Sequence, residues 1–511
     1  MSFSSHKNGK ASTSSQLQYM LLVLILVAIS LCYGNILNGE LQFDDDVFIN
    51  PSLADVRLLP LTYSNLTSFL SGNRLLTQQT FALNYHLGGL SVFGYHLTNI
   101  VLHMGSVLLV FIFVQMLLQR VKAKEKVSFD VVPFALFVTA IFALHPLQTE
   151  SVSYIVQRSE VLASLFYLGC LIALLGYSSS KKATALGWWL LSLLFFIAGW
   201  GSKEIIITAP LAYLLCVLYV GDKASLKKAV KGLLPYLATG ATLGCLRLLS
   251  LDNSQEAGFS SFDQGAAVYL LTQLKVIVRY LQLFFFPVGQ NIDHDISIVT
   301  GMPGFESFFY ITLWLCLIAA AIYLLLIKTG EYRHQLRLIG FGLLWFLVLL
   351  LPTSSFIPIR DVMAEHRTYL PLLGISITVV AFFDLILKKW RVNPTATLAL
   401  CLAIPIIIAL ACTTCERNKV WQTKLTLWQD AAFKSPHKSR PHNNLANSYF
   451  LLGNYPAAAG HYQKAIQLDQ NNLEPYYNLA LTLKNLGRID EALQVHRKFV
   501  TLVGRKNAIS K

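Results

Sequence analysis

The chain has 511 residues, of which 54 % are hydrophobic and 13 % are charged. Ordinary soluble domains carry about a quarter of their residues as charged side chains, so this composition excludes a mainly soluble enzyme and a disordered protein. The 41 Lys and Arg residues exceed the 27 Asp and Glu residues and give a net charge of +14. Because the positive residues lie between apolar runs and not in patches with interleaved aromatics, we expect a membrane protein without a nucleic-acid partner.

Eleven apolar runs have the length of transmembrane helices, which need about 20 residues, or somewhat fewer when their ends are interfacial. A twelfth run, 269–287, carries Lys275 and Arg279 among leucines and phenylalanines. This pattern predicts an amphipathic helix that lies at the membrane surface. We therefore expect an all-α polytopic membrane protein with about eleven spans. The runs are 18–33, 99–118, 131–144, 161–177, 183–200, 205–220, 233–251, 308–327, 338–351, 370–387 and 396–412.

Lys and Arg gather in every second loop between these runs, and this pattern predicts the orientation. With eleven spans, all six basic clusters lie on one side, which the positive-inside rule identifies as the cytoplasm. If the run 269–287 also crossed, the last two clusters would lie outside. We therefore predict a cytoplasmic N-terminus and an external C-terminal tail. The clusters are Lys7 and Lys10; Arg120, Lys122, Lys124 and Lys126; Lys181 and Lys182; Lys223, Lys227, Lys228 and Lys231; Lys328, Arg333 and Arg337; Lys388, Lys389 and Arg391.

Polar residues gather at the external ends of the spans. In the first external loop, Asp44 and Asp45 lie between Phe43 and the apolar run 47–49. Such a loop packs against the membrane surface, where a carboxylate is partly desolvated and able to accept a proton. The remaining external candidates are the cations Arg74, Arg158, Lys203 and Arg367 and the supporting residues His145, Glu150, Glu204, Asp293, His294, Asp295, Glu365 and His366.

Several of these residues also have a structural interpretation. Lys203 lies between two spans, where a lysine can reach the interface with its long side chain. Arg158 and Arg367 can anchor spans, with Glu150 and Glu365 as ion-pair partners. The sequence at 293–295 has the ligand types for a divalent metal, but the spacing fixes no further ligand, so the metal is left unassigned.

The polar segment 416–511 repeats itself after 34 residues. Asn444 and Asn478 are equivalent, as are Gly453 and Gly487. A 34-residue period with this pattern is typical of tetratricopeptide repeats, which stack pairs of helices and form a concave groove for extended peptide. Asn444 and Asn478 are therefore predicted to bind an acceptor polypeptide. The predicted domains are 1–415, in the membrane, and 416–511, with repeats at about 441–474 and 475–508.

Several motifs resemble the transmembrane-and-tetratricopeptide O-mannosyltransferase family and its bacterial relatives, nearly from end to end. The resemblance implies a GT-C glycosyltransferase that uses a polyprenyl-phosphate sugar, and it aligns Asp44 and Asp45 with the acidic motif of the family's first external loop. Arg74-Leu75-Leu76 departs from the Arg-Pro-Leu that relatives often have, which puts the local loop shape in doubt. The motifs are NGELQFDD at 38–45, ALNYHLGG at 82–89, GYHLTN at 94–99, LHPLQTE at 144–150, KE at 203–204, QNIDHD at 290–295, AEHRTYLP at 364–371 and RNKVW at 417–421.

The resemblance implies inverting transfer of mannose or another hexose to Ser or Thr of exported proteins on the external membrane face. A donor phosphate needs cations, for which Arg74, Arg158, Lys203 and Arg367 are the candidates. A carboxylate, Asp44 or Asp45, takes the proton of the acceptor hydroxyl, and we expect the larger loss of activity from changing Asp45. A divalent metal is helpful but not required, because phosphate is already a good leaving group.

The short tail favours a bacterial inner membrane protein with periplasmic repeats, or an ER membrane protein with luminal repeats if the source is eukaryotic. Two other functions are compatible with the sequence. One is an enzyme that modifies a lipid-linked glycan. The other is a non-enzymatic scaffold that anchors the repeats, although one span would suffice for that purpose.

The predicted topology can be tested by labelling single cysteines with a membrane-impermeant thiol reagent. Cysteines near Ser254 and Asn471 should react from outside, and a cysteine near Lys228 should not, because the charge rule puts it in the cytoplasm. A cytoplasmic position for Asn471 would contradict the eleven-span topology.

Overall fold

The computed structural model describes residues 5–52, 69–70, 74–125, 130–221, 223–251, 265–299, 304–390 and 396–509. Ser254 and the cluster members Lys126 and Arg391 lie outside these ranges. Helices dominate the described chain, which contains no β-strand. The predicted all-α class is therefore confirmed.

The part of the chain before the repeats forms a helical bundle, in which mostly short loops separate consecutive α-helices of the described residues. They are α1 (Ser5–Tyr33), α2 (Asp45–Phe48), α3 (Leu75–Gly88), α4 (Val92–Glu125), α5 (Val131–Leu144), α6 (Thr149–Ser153), α7 (Arg158–Ser179), α8 (Lys182–Trp200), α9 (Ala209–Val220), α10 (Lys223–Leu251), α11 (Gly265–Phe285), α12 (Phe305–Leu326), α13 (Arg333–Leu350), α14 (Leu372–Lys389) and α15 (Ala396–Val420).

Each predicted apolar run, except the run 205–220, lies inside one of these helices or extends past its ends by at most two residues. That run combines the 3₁₀ turn Glu204–Thr208 with α9. Several helices are longer than the runs, such as α1 and α10, which begin 13 and 10 residues earlier. By length and composition, eight helices of the described chain could cross a membrane, or nine if the bent pair Val131–Leu144 and Pro146–Ser153 is one span. These helices indicate a membrane protein, and the count of eleven spans stays a prediction.

Helix α11 is one of the eight by composition, but its two ends contact the same face of the bundle. Near its start, the Tyr269 hydroxyl donates to the carbonyl of Thr353 at 3.0 Å, just after α13. Near its end, the carbonyl of Phe284 lies 2.9 Å from Nε2 of His145, just after α5. The loops that follow α5 and α13 contact each other. This geometry agrees with the predicted helix along the membrane surface.

At the opposite end of the bundle, basic side chains bind the last carbonyls of neighbouring helices. Arg120 donates to the carbonyl of Leu175 near the end of α7, at 2.5 Å, and Arg337 donates to that of Leu218 near the end of α9, at 3.1 Å. The last carbonyls of a helix have no partner within it and carry partial negative charge. Members of the basic clusters therefore also cap helix ends.

The C-terminal helices form antiparallel pairs. Gly453 and Gly487, 34 residues apart, occupy the equivalent turns within the two pairs with φ of 73° and 74°, a conformation that glycine adopts without steric cost. The predicted boundary at residue 415 falls within α15, so the domain boundaries stay predictions. The helices are α16 (Lys424–Lys434), which agrees with the helix expected before the repeats, α17 (Ser439–Leu451), α18 (Tyr455–Leu468), α19 (Glu474–Asn485) and α20 (Ile489–Ile509).

Gly453→Ala should destabilise the repeats, because a left-handed backbone costs about 1–2 kcal/mol for a residue with a Cβ atom. Gly460→Ala, in the interior of α18, is the matched control, since no atom lies within 4 Å of the added Cβ at either position. Alanine in a helix should stabilise the control by about 1 kcal/mol. Hydrogen exchange of the repeat helices in the full chain measures both changes, and equal protection in the two variants would contradict the argument.

Candidate active site

The predicted site residues lie in loops that meet at one end of the bundle, on the side where the repeats dock. Hydrogen bonds join these loops to one another across long distances in sequence. The loops are 34–52 after α1, 145–157 after α5, 201–208 after α8, 286–299 after α11 and 351–371 after α13.

Two residues at this end have strained backbones. Phe43 and Arg74, with φ of 45° and 54°, are the only non-glycine residues with positive φ in the described chain. Such conformations persist where the surroundings hold them, and they cluster at functional sites. The Phe43 ring packs against Trp428 of α16, with ring centres 5.5 Å apart, and against Tyr154, at 6.4 Å. The backbone that precedes Asp44 is therefore held from both the bundle and the repeats.

Asp45 is fully buried, and its carboxylate accepts hydrogen bonds from two backbone N–H groups. The donors are Gln42, at 2.9 Å, and Val156, at 2.8 Å. Burial raises the pKa of Asp45 to about 7, with a further contribution from the charge of Asp44, although the backbone hydrogen bonds lower it. A carboxylate enclosed in this way anchors its loop to the chain around Val156. This geometry favours a structural role for Asp45, and the expectation that Asp45 carries the larger part of the activity stays a prediction.

Asp44 and Asp46 have different surroundings. Asp44 is half-buried, and its backbone N–H donates to the Tyr154 hydroxyl at 3.0 Å. Burial and the charges of Asp44 and Asp45 raise the pKa of Tyr154 well above its ordinary value. Asp46 is exposed and pairs with Lys424 of α16 at 2.5 Å. Of the two predicted proton acceptors, Asp44 is therefore more accessible to an acceptor hydroxyl than the fully buried Asp45.

A second cluster of carboxylates and imidazoles joins three loops. Glu150 lies with Oε1 2.5 Å from Nδ1 of His366, and its Oε2 accepts the backbone N–H of Glu365 at 3.0 Å. The Glu365 carboxylate lies 2.8 Å from Nε2 of His294 and accepts a hydrogen bond from Gln290 at 2.8 Å. Burial works to raise the pKa of Glu365, but these hydrogen bonds and nearby positive charges outweigh it and lower the pKa. The cluster therefore fixes the side chain of His366 from one side.

Three of the four predicted phosphate-binding cations lie near His366. Burial lowers the pKa of His366 well below its ordinary value, and the charges of Lys203, Arg367 and Arg74 lower it further. Lys203 forms a buried ion pair with Glu160, and burial lowers the pKa of Lys203. These side chains make the surroundings of His366 strongly positive.

The two arginines of this group differ in how many hydrogen bonds their guanidinium groups donate to the protein. Arg367 is buried and donates to the backbone carbonyl of Asp361 at 2.7 Å. The Arg74 side chain is half-buried, and its guanidinium makes no hydrogen bond to a residue that the structure describes. Its guanidinium is therefore the one most available to an incoming anion.

Arg158 is completely buried, and its three nitrogens all have protein acceptors. Nε donates to Asn99 at 2.7 Å, Nη1 to Asn84 at 2.6 Å and Nη2 to the carbonyl of Tyr95 at 2.9 Å. The guanidinium also lies over the ring of Phe81, 4.6 Å from its centre. This geometry favours a structural role for Arg158 over the predicted phosphate contact. The residues that hold it belong to the motifs at 82–89 and 94–99, whose asparagines our sequence analysis did not single out.

Two supporting residues connect helices. His145 bonds to α11 through the carbonyl of Phe284, as described above, and its ring stacks on that phenylalanine with centres 4.8 Å apart. Glu204 pairs with Arg247 of α10 at 3.3 Å. Burial works to raise the pKa of Glu204, but nearby cations outweigh it and lower the pKa to about 2. These cations are Arg74, Arg247 and Lys203, so Glu204 also lies close to two of the predicted phosphate-binding residues.

Asp293 attaches the repeats to the bundle. Its buried carboxylate pairs with Lys438 and with Arg440, whose Nε lies 2.6 Å from Oδ2. Burial works to raise the pKa of Asp293, but Arg440 and Lys438 outweigh it and lower the pKa. His294 turns to Glu365, and Asp295 is exposed. The three adjacent side chains therefore have separate surroundings, and no group of three metal-ligating side chains occurs in the part of the chain that the structure describes.

The repeats and the loop 34–52 line an open groove with a volume of about 400 Å³. Asn444 and Asn478 line it, as does Asn447, which the sequence analysis missed because the residue 34 positions later is Leu481. Asn447 accepts hydrogen bonds from the Tyr462 hydroxyl at 2.6 Å and from Asn478 at 3.1 Å. The other lining residues are Phe43, Asp46, Lys424, Trp428, Ser448, Phe450 and Leu451.

The chain is similar to known proteins in both of its parts. Family models described as "TPR repeat" and "Tetratricopeptide repeat" match residues 446–487 and 473–502, which confirms the repeats. Protein O-mannosyl-transferase Tmtc3 of Drosophila melanogaster is 26 % identical over 95 % of this chain and 59 % of the relative. Protein O-mannosyl-transferase F38B6.6 of Caenorhabditis elegans is 25 % identical over 88 % and 62 %, and Protein O-mannosyl-transferase TMTC4 of Homo sapiens is 26 % identical over 86 % and 65 %.

These matches confirm the family resemblance that the sequence motifs predict. The chain spans 59–65 % of the length of these curated relatives. All three relatives are animal proteins, and the bacterial assignment stays a prediction.

Asp293→Asn should loosen the repeats from the bundle, because Lys438 and Arg440 would then face a neutral amide. Since both cations are about a third exposed, solvent screening limits the loss to about 1–3 kcal/mol. Hydrogen exchange at residues 435–440 should rise in this variant. The exposed Asp295→Asn is the control, and an equal rise there would contradict the docking role of Asp293.

Proposed function

We propose that this chain transfers mannose, or another hexose, from a polyprenyl-phosphate donor to a Ser or Thr hydroxyl of a polypeptide. The observation that carries the proposal is the position of the repeat groove, whose wall includes Phe43 and Asp46, the residues on either side of Asp44 and Asp45. A polypeptide in that groove lies next to the candidate proton acceptor. The names of the relatives support the same chemistry.

On the acceptor side, Asp44 takes the proton of the hydroxyl as the oxygen attacks the anomeric carbon. A positioned carboxylate of this kind contributes about 10²–10⁴ to the rate. Asp45 holds the loop in place through Gln42 and Val156, and so positions Asp44. A single displacement inverts the anomeric centre, and it needs only this one carboxylate.

On the donor side, the lipid lies in the bilayer and the phosphate lies at the positive end of the site. Arg74 provides an open guanidinium, which can bind two phosphate oxygens at once. Lys203 and Arg367 add positive charge, although Glu160 partly neutralises Lys203. The phosphate leaves with the electrons of the broken glycosidic bond, and these cations stabilise its charge.

The groove also favours a polypeptide acceptor over a lipid-linked glycan. Its wall combines the amides of Asn444, Asn447 and Asn478 with the rings of Trp428 and Tyr462. Amides can bond a peptide backbone, and rings can cover its side chains. The membrane in question is a bacterial inner membrane or an ER membrane, with the repeats on the periplasmic or luminal side.

Intact-mass comparison of exported proteins tests this proposal. Proteins from cells with the gene should carry a hexose-sized mass that is absent without the gene, and peptide mapping should locate it on Ser or Thr. Hexose loss from lipid-linked glycans alone would favour the glycan-modifying alternative, and unchanged masses in both pools would refute the transferase.

Asp44→Asn should lower transfer by about 10²–10⁴, because the amide keeps the shape of the side chain but cannot accept the proton. Asp45→Asn should instead reduce folded protein, since its amide NH₂ would face a backbone N–H donor in a buried site, at a cost of about 1–3 kcal/mol. Transfer assays on purified protein, normalised to folded enzyme, separate the two effects. Asp46→Asn is the control and should be nearly silent. Normal transfer by the Asp44→Asn variant would mean that the base is a different residue.

A further inference from the structure

The imidazole ring of His366 is held through only one of its two nitrogens. It lies in the 3₁₀ turn Glu365–Thr368, and its Nδ1 is 2.5 Å from Oε1 of Glu150. Glu150 is itself held by the backbone N–H of Glu365 and is 3 % exposed. The Ser151 hydroxyl donates to the backbone carbonyl of His366 at 3.3 Å. The ring is therefore held through Nδ1, and its other nitrogen is directed away from this contact.

The other nitrogen, Nε2, has no hydrogen bond to any residue that the structure describes. The side chain is 14 % exposed, whereas every other member of the cluster of Glu150, Glu365 and His294 is less exposed. Nε2 is not fully buried, so solvent or a ligand can reach it. An oriented imidazole with one open nitrogen therefore has the geometry of a ligand-binding group.

The charges around this nitrogen identify the class of ligand. Burial lowers the pKa of His366, and Lys203, Arg367 and Arg74 are close enough for their charges to lower it further. The Glu150 carboxyl lies at Nδ1, the nitrogen that already has a partner. Glu160 and Glu204 partly offset the charges of Lys203 and Arg74, and the remaining positive charge favours an anion. Because the pKa of His366 is lowered, its imidazole is a poor acceptor for a hydroxyl proton. This argues against His366 as the base and leaves that role with Asp44.

We propose that Nε2 of His366 donates a hydrogen bond to a phosphate oxygen of the donor, and that Glu150 is the positioning residue that orients the ring. This inference rests on the proposed function. Burial and the charge of Glu365 raise the pKa of Glu150 well above its ordinary value. The protonated Glu150 carboxyl therefore donates to Nδ1, and the neutral ring carries its own proton on Nε2, from which it can donate. Such a donor adds direction to a site in which the cations alone supply mainly charge.

The test is the steady-state kinetics of the purified full chain with a polyprenyl-phosphate mannose and an acceptor peptide. His366→Ala should raise the KM for the donor by about tenfold to a hundredfold, as expected for a lost hydrogen bond to a charged group. The KM for the acceptor peptide should stay unchanged. His366→Gln places an N–H group near the position of Nε2 and should recover most of the donor affinity. Glu150→Gln should give a smaller rise in the donor KM.

The exposed His496→Ala, far along α20, is the matched control and should behave as wild type. Binding of a polyprenyl phosphate without sugar gives a second readout, measured as the thermal shift of each variant relative to its own ligand-free melting temperature. This shift should be smaller in His366→Ala than in wild type. A lower kcat with an unchanged donor KM, or no rescue by His366→Gln, would overturn the role of His366. If wild type binds polyprenyl phosphate but transfers no hexose, the proposed function fails and the phosphate contact is still tested by the binding data.

Discussion

A carboxylate that leaves water must find hydrogen-bond donors or cations inside the protein, and this constraint organises the external end of the molecule. Asp45, Glu150, Asp293 and Glu365 are each at most 3 % exposed. Each lies in or beside a loop and accepts hydrogen bonds from a different part of the chain, such as Val156 for Asp45. Moving any of these loops away from the bundle would expose a buried carboxylate or remove its hydrogen-bond partner. The loops therefore support the site as one connected unit.

The repeats belong to this support and are not attached by a linker alone. Arg440 pairs with Asp293 and Asp361, and its guanidinium lies over the ring of Phe43, 5.5 Å from its centre. The same ring touches Trp428 in the wall of the groove. The groove thus has a fixed position relative to Asp44. A polypeptide bound in it would lie at a defined distance from Asp44, whereas a flexible tether would only raise the local concentration of the polypeptide.

Local patterns in the sequence predict most of the helices and only part of the site. Apolar runs and the 34-residue period depend on neighbours in sequence, and they locate the spans and the repeats. The roles of individual charges depend on distant partners. The Arg158 guanidinium donates hydrogen bonds to Asn84 and Asn99, and the Asp45 carboxylate accepts one from the backbone of Val156. The local sequence does not predict either contact. His366 stands in the motif at 364–371, but its open nitrogen follows from a contact with Glu150, more than 200 residues away.

The basic residues at the other end of the bundle have two functions: their number predicts the orientation of the protein in the membrane, and two of them cap helix ends. During insertion, the number of Lys and Arg residues on each side decides which way a membrane protein faces. In the folded protein, Arg120 and Arg337 are also bound to the ends of α7 and α9. Moving these arginines elsewhere in the same loops would preserve the charge count but leave helix ends uncapped. The position of each arginine therefore matters for the folded bundle, and its charge matters for the orientation that the sequence predicts.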